Sequence, residues 1–379
     1  MNIIYDQVKM PEGHDNYLPV NLTAETMEQH RQNVLARMQE KNLDTLLIYA
    51  DREHGSNYAY LTGFEPRFEE SVLILHLDGT CYLMLGNENM KMCAYSYIKA
   101  KAVHVPHFSL PYQPMDTEKS LDQLFEEAGI VNGQRIGFVG WKLFTSKYED
   151  NRTLLDAPAF ITDTVRRLNP SGSIENAADI FLDPETGLRT YMNANEIAHL
   201  EYGAGLASSR MLRALNAVEP GKTELQIADL LSACGQPVTV TTICATGDRF
   251  TDAVVFPRNK QIRLGDKFSM TLALRGGLTS RAAYVAEKRE DLPEKVQDYM
   301  ERVAIPYYQA AVHWYETAGI GVTGGELYDQ TEELLPKETY HWVLNPGHST
   351  GVDEWVASPV YPGSFSVQTQ RLSLLPHPL

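Results

Sequence analysis

The sequence has no apolar run of about 18 residues, the least a membrane-spanning helix needs, so no such helix is expected. It opens MNIIYDQVKMPEGHDNYLP, with no basic stretch leading into an apolar one, so this stretch is not expected to be a secretory signal. Cysteine is scarce: Cys81, Cys93, Cys234 and Cys244 are the four in 379 residues, and none forms a CxxC pair. That spacing argues against a disulfide framework and for reduced thiols in the cytoplasm, packed as small apolar groups. Positive charge is in short supply too. Lys and Arg number 33 against 49 Asp and Glu, for a net charge of −16. Such a balance disfavours a nucleic-acid backbone or an anionic membrane as partner. The Gly276-Gly277 pair has no following helix and no phosphate-loop spacing, which excludes a nucleotide site and leaves a turn between strands.

What is present is ordinary globular material: 43% hydrophobic and 22% charged residues. At a prior of roughly 150 residues per domain, the length suggests two domains. After an aperiodic lead-in of some 20 residues, Thr26 and Gln29 have capping-box spacing and open a helix to Asn42. Met27, Val34, Leu35 and Met38 share one face of it. Strands are predicted over 45–49, 71–76, 80–85 and 135–139, with Asp78-Gly79 as a hairpin signal and an amphipathic helix over 121–128. This alternation predicts an α/β domain over residues 1–185. A turn-rich stretch, Asp183–Gly187, then leads into a long helix over 194–218. Pro220-Gly221 stops it, and a second helix follows over 223–231. Strands are predicted over 238–245, 268–274 and 282–286, and helices over 294–317 and 324–335. Residues 186–379 therefore read as an α+β domain.

Five stretches, taken in order, resemble the creatinase, prolidase and aminopeptidase P family. Ser56–Phe64 (SNYAYLTGF) is similar to a strand-to-turn signature of its N-terminal domain, and Asn195-Glu196-Ile197 to the opening of its first C-terminal helix. Glu219–Glu224 (EPGKTE), Leu264-Gly265-Asp266 and Gly347–Gly351 (GHSTG) are similar to later turns and to a histidine-bearing strand. The resemblance implies a creatinase-like α/β N-terminal domain followed by an α+β pita-bread domain, assembled as a homodimer. It also implies hydrolysis of a C–N bond, carried out in metal-dependent members by a dinuclear site of carboxylates and a histidine.

The implied ligand positions depart from that pattern. The first carboxylate position is Thr271 and the second falls at Ala282 or its neighbour Arg281. His348 matches the histidine. Pro362-Gly363 is followed by Ser364–Thr369 without a glutamate, and the position of a proton-transferring histidine is Val254. One ligand of the set remains, so no metal and no cofactor is expected. Creatinase sets a precedent for C–N hydrolysis without metal.

The candidate catalytic groups are then His348, since an imidazole can act as a general base, with Asp353 and Glu354 to orient it or to hold a cationic substrate. Arg275, Arg281 and Arg67 are candidates to grip a substrate carboxylate in a bidentate fork, and Phe64 lies beside Arg67 as a further substrate-binding candidate. Each also has a plain structural reading: a retained histidine, solvated acids, edge arginines, a charged loop. Three functions stay open. They are a metal-free hydrolase of a small nitrogenous or peptide-like substrate, a peptidase-fold binding protein, and an X-Pro peptidase with an altered metal site reached by Asp252.

Overall fold

A computed structural model describes residues 18–115, 119–251, 256–342 and 346–354, with 3, 4, 6, 9, 11 and 13. Val254, Asp252, Pro362, Gly363 and the tail to Leu379 lie outside the described residues. The chain divides into one unit formed by Leu22–Asn195 and another formed by Met1–Asn21 with Glu196–Leu379.

The Leu22–Asn195 unit is built on a six-stranded sheet, β4-β3-β2-β1-β5-β6. Its strands are β1 (Thr45–Ala50), β2 (Ser71–His76), β3 (Cys81–Leu85), β4 (Lys101–His104), β5 (Arg135–Val139) and β6 (Ser173–Asn176). β1 runs parallel to β5 and antiparallel to β2. Every residue of β1 is buried, as its unbroken apolar run predicts for a central strand covered on both faces. Alternate residues feed two cores. Leu46, Ile48, Leu73 and Leu83 face Val34 and Met38 of α1 (Ala24–Glu40) and Tyr58 and Leu61 of α2 (Ser56–Thr62). Leu47, Val72, Ile136 and Phe138 face Phe125 of α3 (Leu121–Glu127) and Ile161 of α4 (Ala159–Leu168). The short α5 (Asp179–Leu182) adds Ile180 and Phe181 to the first core. Each fully buried side chain of this size contributes about 1.5–3 kcal/mol.

Two expectations change here. The cap of α1 is Thr23, whose hydroxyl accepts from the Thr26 N–H at 3.1 Å; Thr26 itself is buried and donates to Asn195 at 3.0 Å. The Ser56–Phe64 signature is a helix, not a strand. All seven residues of α2 are buried, so it has no polar face to give a helical period. It ends at Gly63, whose φ of +79° suits only glycine, and whose N–H donates to the Ala59 carbonyl.

In the other unit, β7 (Val238–Thr246), β8 (Lys267–Leu274) and β9 (Gly277–Tyr284) form an antiparallel sheet in that order. α6 (Ala194–Ala217) and α7 (Glu224–Leu230) cover one face through Leu206, Met211, Ile227, Met270 and Leu272. β9 starts directly after a two-residue loop, earlier than its sequence suggests. The predicted 294–317 helix is broken into a 3-10 turn, a π turn (Met300–Ala304) and α8 (Ile305–Thr317). Pro306 is the cause: it has no N–H for the carbonyl of Arg302. The Tyr340 hydroxyl donates to that carbonyl instead, at 2.9 Å. α9 (Gly324–Leu334) carries the capping box Thr323/Glu326 and packs on α8. Among the described residues no helix is long and apolar enough to cross a membrane.

Candidate functional site

Alternation along β8 sorts its side chains. Phe268, Met270, Leu272 and Leu274 face α6 and α7. Ser269, Thr271 and Ala273 face the other way. Opposite residues of an antiparallel pair share a face, and Thr271 lies opposite Ser280. Their hydroxyls hydrogen-bond at 2.8 Å. On the other side Ile243 flanks Thr271, and Ala282 lies opposite Ser269. The face that would offer carboxylates thus offers hydroxyls and methyl groups. Two divalent cations need several charged oxygen ligands, which this pair does not supply. Among the described residues no three His, Cys, Asp or Glu side chains gather in a way that could hold a metal ion. The described residues of this face do not fit a dinuclear centre.

Arg281 pairs with Met270 and so belongs to the face opposite Thr271. It is exposed, and its guanidinium donates to the Thr279 hydroxyl at 3.2 Å and the Ser280 carbonyl at 2.7 Å. Arg275 is placed differently. With Gly276 it forms the two-residue loop between β8 and β9, where Gly276 has φ +84°. The loop is tied to the segment that carries His348. The Gly276 N–H donates to the Gly351 carbonyl at 2.7 Å, and the Thr350 hydroxyl donates to the Gly276 carbonyl at 3.2 Å. The Gly351 N–H in turn donates to the Asp353 carbonyl at 2.9 Å. Gly347 packs on the Trp314 ring, where an added Cβ would come within 2.8 Å. Gly203 of α6 packs on the Arg275 carbonyl, leaving only 1.9 Å for a Cβ. Of the candidate residues, then, the backbone brings Arg275, His348 and Asp353 into one locality. Glu354 follows it half-buried, and Asp353 is buried.

Phe64 and Arg67 belong to the Leu22–Asn195 unit. Phe64 sets its ring edge-on to Tyr58 at 5.4 Å and packs on that unit's core. Arg67 pairs with Glu65 at 2.8 Å. The ring that this loop presents to solvent is Phe68, 70% exposed, which reading the motif residue by residue passed over.

The sequence also gave no warning of Glu224. This carboxylate is fully buried. It accepts from the N–H groups of Thr246 and Arg258, at 2.8 Å each, and from the Arg249 guanidinium. Burial beside it pushes the Cys244 thiol up to about 12. The signal was Thr223-Glu224 at a helix start, which reads as capping and conceals the ion pair. Nearby, an open polar cleft of about 580 Å³ is lined by Asp248, Lys260, Arg263 and Asp266 among others.

Residues 30–166 match the family model for the creatinase/prolidase N-terminal domain. Nothing among curated proteins matches the chain. Among solved structures, a prolidase from Thermococcus sibiricus superposes with TM-score 0.67 at 16% identity, covering 92% of this chain and 88% of that one. A prolidase from Pyrococcus furiosus gives 0.63 at 19% identity, covering 89% and 88%. An Xaa-Pro dipeptidase from Bacillus anthracis gives 0.63 at 15% identity, covering 90% and 86%. Residues 30–166 are thus similar to a creatinase/prolidase N-terminal domain, and the chain has the two-domain pita-bread fold of the prolidases over some nine-tenths of its length.

Proposed function

We propose that the chain is a hydrolase of the creatinase/aminopeptidase P type that cleaves a C–N bond of a small nitrogenous or peptide-like substrate without a dinuclear metal site. It would act in the cytoplasm as a homodimer. The observation that carries the reading is the junction of the Arg275 loop with the His348 segment on a prolidase fold. In this reading His348 takes a proton from the attacking water, Asp353 and Glu354 steady the imidazolium, and Arg275 grips a substrate carboxylate. The Thr271 and Ser280 hydroxyls, bonded to each other, would donate to the substrate carbonyl in the same reading.

The test is turnover of Xaa-Pro dipeptides and N-substituted guanidino acids by the full chain in the presence of a chelator. The expected result is turnover that the chelator leaves unchanged and that His348→Gln lowers by about 10²–10⁴. A wild-type chain that binds these compounds in calorimetry and turns over none of them replaces the hydrolase with a binding protein. Activity that requires added manganese or zinc overturns the metal-free site.

A further inference from the structure

A second set of chemical groups lies within the Leu22–Asn195 unit, at the carboxyl ends of the parallel strands β1 and β5. Crevices at such strand ends are where open α/β sheets commonly bind ligands. β1 runs out into Asp51, and His54 follows three residues later. The two Asp51 oxygens lie 3.0 and 3.1 Å from His54 Nδ1. Asp51 also accepts from the N–H groups of Glu53 and His54, at 2.9 and 2.8 Å, and from the Tyr49 hydroxyl at 3.2 Å. Burial opposes ionisation of Asp51, but the His54 ring and the two N–H groups outweigh it and hold the carboxyl below its usual range.

An acceptor on Nδ1 fixes the proton there and leaves Nε2 with its lone pair. Nε2 meets no partner among the described residues, and the side chain is 40% exposed. The ring lies tilted against Trp141, centroids 4.9 Å apart. The backbone at Trp141 is itself braced: Asp156 accepts its amide N–H at 2.6 Å, and Asn57 donates to the adjoining Gly140 carbonyl at 2.8 Å. The other charged groups around the ring are Arg52 and Glu53 of its own loop, Glu70 before β2, and Lys142 beyond Trp141.

We propose that Asp51 and His54 form an acid–base dyad, independent of His348, that hydrolyses small acyl compounds whose apolar part rests on Trp141. His54 Nε2 takes a proton from water as the water oxygen bonds to the acyl carbon. The bond from acyl carbon to the leaving oxygen or nitrogen then breaks, and the imidazolium returns the proton to that leaving atom. Asp51 fixes the tautomer throughout and is a positioning residue. An Asp-x-x-His spacing directly after an apolar strand is the sequence signal for it.

The test uses p-nitrophenyl acetate with the full chain, which needs no knowledge of the natural substrate. His54→Ala is expected to lower the rate above buffer by about 10²-fold, within the usual span of general-base effects, and added imidazole to restore part of it. Asp51→Asn is expected to lower kcat about tenfold with KM unchanged, and His104→Ala, at a surface histidine, to change neither. His54→Gln, which keeps a side chain of similar length, must fall as His54→Ala does. A wild-type rate no higher than buffer, a His54→Ala rate equal to wild type, or a loss that imidazole does not rescue overturns the proposal; the last would leave His54 a loop brace. Failure on both the Xaa-Pro dipeptides and the guanidino acids would sink the reading at His348 and leave this result standing.

Discussion

The two units treat their sheets differently. The six-stranded sheet of Leu22–Asn195 is packed on both faces, with one core against α1 and α2 and another against α3 and α4. The described part of the other unit packs a three-stranded sheet on one face, against α6 and α7. A strand buried on both sides is constrained at every residue, because interiors are filled close to crystal density. A strand buried on one side is constrained at every second residue. The face with Thr271, Ser280 and Ala282 is the one turned away from that core. The family-model match, over residues 30–166, falls in the unit packed on both faces.

The sharpest test of that contrast is Phe138→Ala. Phe138 is fully buried in the second core, and its loss should cost about 3–5 kcal/mol. Hydrogen exchange read by mass spectrometry should show the loss in the strands of Leu22–Asn195. Thr271→Ala, on the open face of β8, should stay within about 0.5 kcal/mol of wild type in urea denaturation. Comparable losses at both positions would break the comparison.

Glu224→Ala is expected to cost about 3–5 kcal/mol, since it strands a largely buried Arg249 and two backbone donors. Glu224→Ala/Arg249→Ala should recover part of that loss, because the second change removes the orphaned cation. Strict additivity in the cycle would mean the pair is not coupled and the unit is held by its apolar core alone.

Much of this architecture was legible in the sequence. The spans 71–76 and 135–139 coincide with β2 and β5, because an apolar run bounded by turn residues leaves few alternatives. β4 and β6 were not legible. They are four-residue edge strands, β4 largely exposed and β6 mostly half-buried, with no pattern to betray them. The helical Ser56–Thr62 was misread because burial on all sides erases periodicity. Of the candidate site residues, Arg275 and His348 lie on segments that are joined through Gly276, Thr350 and Gly351. The face to which Arg281 belongs depended on a hairpin register, which a one-residue shift would have reversed.

The smallest expected effect concerns Glu70, half-buried at the start of β2. Burial raises its carboxyl above the ordinary value of 4.5, its own N–H partly opposes this, and the charges of Asp51 and Glu69 add to it. The folded chain therefore holds a proton that the unfolded chain has released in the window just above 4.5. Stability contributed by this group falls as pH rises through that window and is lowest above the folded value. Glu70→Gln removes the penalty, so it should stabilise the protein at pH 7 by about 0.5 kcal/mol or less, given its partial exposure. The gain should vanish as the pH falls below 4.5, where both states are protonated. Urea midpoints at the two pH values measure it. A gain that persists in acid would mean the charge is not the cause. The two-sided packing of this unit would then tolerate a half-buried carboxylate at no electrostatic cost.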